Sequence, residues 1–372
     1  MAAASKDLSS RLIFTRKEGP VQIDFHHTVT YVLARLAGFE KTEANIIAYA
    51  AQYVDDATST GTVYFDNKAL YHRTSSAHKM LDPRNVEELA NHLVWLPFHF
   101  LPGNGGKPAG RNPSGQFIKK IICRPNSHVA RKMVADTIAR SHQPYGLHRL
   151  GVAMHVYADT WAHQGFAGVL HAVNEVENAR ETKPSGVFDN PLKDLLLDLL
   201  DDAIPPLGHG RANVFPDMPF LSWQYKNGEG ELVQRNNTDA FMAAARHLHQ
   251  AMQRFISGNP NAASTDLPVA DRDRIWSLFD TLRIESGAER HKHWLRAIRQ
   301  GQFSFGPETV PYAPRGKHSW KAKALGVSHD LRVHTYKPRF LSSNWKLFHD
   351  AVMAHRFFVI HELLPRYGIC AA

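Results

Sequence analysis

Apolar positions recur along this chain at helical spacing far more often than at strand spacing. Val29, Leu33 and Leu36 form one stripe that stops at Gly38, a residue suited to end a helix. Thr42 opens a second stripe through Ile47, Ala50, Ala51 and Val54, which closes on the pair Asp55 and Asp56; threonine is a good N-cap. Further helices are predicted over residues 84–93, 126–140, 189–204, 238–256, 271–299 and 344–364. The longest clean stretch follows Pro144 and meets no proline or paired glycine before Gly165. Alternating, period-2 runs are scarce, so the pattern predicts a mainly α protein, a multi-helix bundle. Residues 1–20 read as a basic leader, 21–256 as a helical core, and 257–372 as a helical C-terminal region packed on it.

The stretch after Pro144 carries the chemistry. His148, His155, Asp159 and His163 are spaced seven, four and four, which places them on one helix face with Val152 and Phe166. Trp161 lies close by and is a further pocket candidate, as is His148. Burying several imidazoles and a carboxylate without partners would cost a few kcal/mol each. A metal ion held in the bundle core satisfies them together.

Composition strengthens that reading. The chain of 372 residues holds 23 histidines, and neutral imidazole is the commonest protein metal ligand. It holds 2 cysteines, Cys123 and Cys370, far apart, so any metal site must be built from His with Asp or Glu. The net charge of +9 favours an anionic partner, phospholipid or nucleic acid, through long-range attraction. There is no signal-peptide core at the N-terminus and no apolar run long enough to span a membrane. The expected location is cytoplasmic, or outside the cell by a signal-peptide-independent route.

Other candidates lie on both sides of the central stretch. His26 shares the inward face of Val29 and Leu33, whereas His27 is rotated away. Asp55 or Asp56 sits at a helix C-terminus, where the dipole disfavours an acid, so a nearby cation would explain the pair. His78 precedes the predicted helix over 84–93, and His99 stands among aromatics and prolines in the apolar run Val94–Leu101, which suits either a lipid-contacting surface or core. Gly208 and Gly210 flank His209 and let the backbone bring it close to a ligand. The glycine-rich loop over 103–115 lacks the Gly-Lys-Ser/Thr ending of a phosphate-cradling loop. The histidines of the last hundred residues mix with Arg and Lys, which disfavour cation binding.

The helix-borne His155-x-x-x-Asp159, the earlier His26 and the Asp at the end of the next helix resemble the zinc-dependent phospholipase C and single-strand nuclease superfamily, over residues 24–217. The segments Asp24-Phe-His26, Gln52-Tyr-Val-Asp55-Asp56 and His155-Val-Tyr-Ala-Asp159-Thr-Trp-Ala-His163 also look like those of an uncharacterised bacterial family. The superfamily resemblance implies an all-α fold that holds one to three zinc ions and hydrolyses phosphate esters. It matches His155 and Asp159 to the helix ligands, His26 to the first-helix ligand, Asp55 or Asp56 to the second-helix carboxylate, and His78 or His99 to the next histidine. The chain departs from the pattern after Asp159, where three residues precede His163, and it lacks the N-terminal tryptophan ligand. A clear third His-x-x-x-Glu/Asp element is also missing, and His209 with Asp217 is the candidate substitute.

The function expected is zinc-dependent phosphodiester hydrolysis, phospholipase C-like, with Asp55 or Asp56 bridging metals or orienting water. A nuclease of the same superfamily is the alternative. A rival from another class is a non-catalytic helical protein stapled by metal that binds anionic membranes or nucleic acid. An HD-type phosphohydrolase built on His349-Asp350 needs a later aspartate, and residues 351–372 contain none.

Overall fold

A computed structural model describes residues 23–78, 88–188, 212 and 214–370. The leader over 1–20, the helix expected over 189–204 and His209 lie outside the described residues. The chain opens with a π-turn, Asp24–Val29, and passes into α1 (Thr30–Ala37), which ends at Gly38 with φ 109°. Helix α2 (Lys41–Asp56) starts one turn-position earlier than Thr42. Its capping box joins Glu40 and Glu43, whose carboxylate accepts the Glu40 N–H at 3.1 Å. An antiparallel hairpin follows, β1 (Gly61–Tyr64) and β2 (Leu70–Arg73). Helices α3 (Glu88–Phe98), α4 (Ile118–Ile121), α5 (His128–Ala139) and α6 (Gly146–Ala162) complete the first half.

The second half begins with a small antiparallel sheet in the order β3 (Val176–Glu181), β4 (Ser222–Asn227), β5 (Leu232–Asn236). Helix α7 (Asn237–Ile256) follows. The helix predicted over 271–299 is two, α8 (Val269–Thr281) and α9 (Gly287–Arg299), because Ser286 caps a fresh start by accepting the Glu289 N–H. After α10 (Trp320–Leu325) comes α11 (Asn344–Phe357), which widens into a π-turn at Phe358–Leu363. The fold is thus helical with two small sheets, and the sheets are what the helical reading left out.

Helix α6 is the axis. Every residue from His148 to Ala162 is buried, and α2, α5, α7 and α11 pack around it. The closest of these neighbours is α2. A Cβ at Gly151 would stand 2.4 Å from the Ile47 carbonyl oxygen and 2.7 Å from Ala50 Cβ, so the two backbones meet only because position 151 has no side chain. From that crossing both helices run on together, α2 to Asp55 and α6 to His155. The main core joins Phe25 and Leu33 to Val359 and Ile369, so the residues after 257 share one interior with those before it. The run Val94–Leu101 is mostly interior: Leu96 and Leu101 join this core, Phe98 and Phe100 are buried in two adjoining clusters, and Trp95 is half-buried, so the run is core rather than a lipid-facing surface. No helix among the described residues is long and apolar enough to cross a membrane.

Candidate metal centre

On α6 the single turn from His155 to Asp159 faces the end of α2 and the residue just past α3. There His155 Nε2, His99 Nδ1 and Asp159 Oδ2 form a nearly equilateral triangle. Its edges are 3.3 Å between the two nitrogens, 3.3 Å from His155 to Asp159 and 3.5 Å from His99 to Asp159. Ligand bonds of roughly 2.0–2.1 Å at tetrahedral angles give ligand–ligand separations of about 3.3–3.4 Å. Asp55 Oδ1 stands 3.7 Å from His155 Nε2 and 3.8 Å from His99 Nδ1. His26 Nε2 lies 3.2 Å from the other oxygen of Asp159, and its ring stacks on that of His155 at 3.9 Å. These residues make two groups that can hold a metal ion, His26/Asp55/His155 and His99/His155/Asp159.

The donor chemistry fits a cation. Asp159 Oδ1 is buried with no hydrogen-bond partner, within ion-pair distance of His26 Nε2. Beyond the contact between His155 Nε2 and His99 Nδ1, these ring nitrogens and carboxylate oxygens gather closely enough to share one ion. Burial pushes the Asp159 carboxyl up, but His163, His155 and His26 outweigh it and hold it well below the usual carboxylate range. Asp55 goes the other way. Burial, reinforced by the carboxylates of Asp159, Asp56 and Asp217 against His99, pushes it well above that range. Burial, with His26 and His99 adding to it, lowers His155 to about 3. A neutral imidazole beside gathered carboxylates is the state a divalent ion requires. The Asp55 side chain is 20% exposed and that of Asp159 only 2%, so Asp55 is the opening of the site.

His99, Asp55 and the turn that carries His26 are each held by neighbours. His99 Nε2 donates to the Ser76 carbonyl at 2.9 Å, which leaves Nδ1 bare toward the centre. Ser76 is itself tied to α2, its hydroxyl donating to the Val54 carbonyl at 2.7 Å. Gln52 Nε2 donates to Asp55 Oδ2 at 3.2 Å. The π-turn that carries His26 is held by its first residue: Asp24 takes Arg290 Nε at 2.7 Å and Nη2 at 3.3 Å. The same guanidinium reaches the Asp217 carbonyl at 3.0 Å.

A family model described as "Family of unknown function (DUF6765)" matches residues 21–363. The chain belongs to the DUF6765 family. No curated protein and no solved structure matches it.

In this DUF6765 protein His26, Asp55, His99, His155 and Asp159 come together, and other candidates do not join them. Asp56 turns away from the centre and accepts a hydrogen bond from the Tyr312 hydroxyl, since neighbours on a helix point about 100° apart. His163 Nδ1 lies 3.6 Å from Asp159 Oδ2 but donates to the His99 carbonyl at 2.7 Å. It therefore braces the backbone of His99 and presents no bare nitrogen to the triangle. His78 lies beside Trp95 and belongs to neither ligand group. Two turns back along α6, His148 Nε2 meets Asn344 Oδ1 at 3.1 Å. Trp161 is on the far face, packed on Tyr157 and His247. Trp95 borders His99, with ring centroids 5.2 Å apart. Arg290 and Ser76 are the supports sequence reading missed. The only signal for Arg290 was a buried acid, Asp24, waiting for a distant base; Ser76 acts through its backbone and leaves no side-chain signal.

Proposed function

We propose that this DUF6765 protein is a zinc-dependent hydrolase of phosphoesters, and the observation that carries the reading is the His99/His155/Asp159 triangle with Asp55 at its partly open side. Nitrogen and carboxylate ligands without cysteine suit zinc. A bound zinc supplies Lewis acidity and a water acidified toward neutrality. His99, His155 and Asp159 would hold the ion, and His26 backs the second Asp159 oxygen. Asp55, partly exposed and drawn to protons, is placed to accept one from an attacking water. Because His155 Nε2 has one lone pair, the two ligand groups that share it compete for it, and one tight zinc per chain is expected. The positive net charge of +9 favours anionic phosphodiesters as substrates, and the resemblance to the phospholipase C and nuclease superfamily points the same way.

A second reading has an observation of its own. The side chains of His26, His99, His155 and Asp159 are only 0–6% exposed, which suits a structural staple as well as a catalyst. Elemental analysis of the purified chain, followed by hydrolysis of bis(p-nitrophenyl) phosphate with and without chelator, separates the two. Chelator-sensitive turnover that zinc restores supports the hydrolase. A zinc-loaded protein inert to phosphodiesters and phosphomonoesters, which unfolds on chelation, would replace it with the staple.

A further inference from the structure

Several exposed apolar side chains sit on the β1–β2 hairpin and the segment beside it. Tyr64 and Leu70 are directly paired across the hairpin and are 54% and 66% exposed. A bridge between Phe65 and His334, with the His334 N–H donating to the Tyr64 carbonyl at 2.8 Å, brings in Leu331 and Val333, 43% and 49% exposed. Single exposed apolar residues are ordinary, but neighbouring ones form a patch. The patch is also firmly mounted. On its inner face Phe65 packs on Phe340 and Tyr336, and Tyr71 on Phe340 and Trp345.

The surround is mainly cationic, although the hairpin tip carries one exposed acid, Asp66, which accepts the Tyr336 N–H at 2.9 Å. Residues 315–339 contain Arg315, Lys317, Lys321, Lys323, Arg332, Lys337 and Arg339 against a single acid, Asp330. That acid is already matched by two bases, Arg73 at 2.8 Å and Lys321 at 2.7 Å. A hollow of ≈ 250 Å³ lined by Lys317, Gly326, Ser328 and His329 opens beside it, and Lys337 Nζ lies at its lip, 2.9 Å from where a Gly326 Cβ would be.

We propose that the β1–β2 hairpin and the adjoining 327–339 segment dock this protein on anionic phospholipid membranes. Aliphatic side chains that enter the acyl boundary, ringed by Lys and Arg that meet lipid phosphates, are the two contributions interfacial binding needs. Nucleic acid would use the bases but gains little from Leu70, Leu331 and Val333, whose aliphatic chains cannot stack on bases. The inference does not rest on hydrolysis, since a metal-stapled protein would carry the same surface. It does suit the metal centre: the hairpin leaves α2 just past Asp55 and returns to Ser76, whose carbonyl holds His99.

The test uses the full zinc-loaded chain and co-sedimentation with vesicles of phosphatidylcholine alone or mixed with phosphatidylglycerol. Binding is expected to the mixed vesicles, weak to the neutral ones, and reduced by added salt. The pair Leu70→Ser with Val333→Ser, and separately Arg332→Glu with Lys337→Glu, should each lower the bound fraction by about tenfold or more. Zinc content and circular dichroism should stay unchanged in both. Absence of binding to either vesicle by a folded protein, or binding that ignores both double variants, overturns the proposal. So does capture of a single-stranded oligonucleotide that displaces the vesicles and is indifferent to Leu70 and Val333, which would make this a nucleic-acid surface.

Discussion

Two sets of buried histidines share this interior and are wired differently. In the first, His26, His99 and His155 turn ring nitrogens toward carboxylate oxygens and one another at 3.2–3.8 Å, with few true hydrogen bonds among them. In the second, each ring has one ordinary partner. His349 Nδ1 donates to the Thr74 carbonyl at 3.0 Å, and His355 Nε2 to the Pro97 carbonyl at 3.0 Å. His27, rotated away from the centre, meets His291 at 2.9 Å. Both sets are equally dry, so burial and histidine count do not mark a metal site. Convergence of several ring nitrogens and carboxylate oxygens on one point does. The second set still serves the first: Thr74 and Pro97 lie two residues from Ser76 and His99, whose contact aims the ligand ring.

The sharpest way to break this contrast is Asp159→Ala, which removes the carboxylate that both His99 and His155 face. Zinc affinity, measured by competition with a chromogenic chelator, should fall by more than a hundredfold, beyond the roughly 10–100-fold range of a supporting residue. Retained tight binding would show that the triangle is not the seat of the metal. Gly151→Ala comes next. Its Cβ meets the α2 backbone at 2.4 Å, so the helices must part, with a loss of about 1–3 kcal/mol in denaturant unfolding and weaker zinc binding. An unchanged midpoint would mean that α2 and α6 have room to give.

His355→Leu probes the other set. It leaves the Pro97 carbonyl without its donor and should cost about 1–3 kcal/mol while zinc stoichiometry stays the same. Loss of zinc in this variant would erase the distinction between the two sets. The pH response sharpens it further. Burial lowers His349 and His355 from 6.5 to about 3 in the fold. Above 6.5 both states keep the rings neutral, and their full contribution is present. As pH falls from 6.5 toward 3 the unfolded chain takes up protons that the folded chain does not, so stability declines across that window. Urea midpoints of metal-free protein should therefore drop between pH 7 and pH 4, with a shallower slope in His355→Leu. The smallest effect is expected from Asp56→Asn, which can still accept from Tyr312; stability should change by less than about 1 kcal/mol. Asp55→Asn should instead depress any metal-dependent turnover strongly, and equal effects of the two would undo the assignment of Asp55 to the centre.

The sequence made the helices legible where apolar spacing is regular. The central helix, α5 and α7 lie close to where periodicity puts them. The same spacing placed His155 and Asp159 on one face and chose His26 over His27. It could not choose between Asp55 and Asp56, because that choice depends on the angle at which α2 crosses α6, set by contact at Gly151. Nor could spacing separate His163 from the ligands, since its role follows from a backbone carbonyl supplied by His99. The strands were missed for a different reason. β4 does alternate, with Trp223 and Tyr225 inward and Gln224 and Lys226 outward, but two apolar residues are a weak signal against the helical background.

The clasp between Asp24 and Arg290 has a consequence for how the protein comes into being. A ribosome makes the chain from its N-terminus, so all five gathered residues, His26 through Asp159, are synthesised well before Arg290 exists. Until then Asp24 is an acid with no counter-charge in the place it must occupy, and closing an interior over it is costly. The centre is encoded early, and the base that clasps its first turn is encoded late.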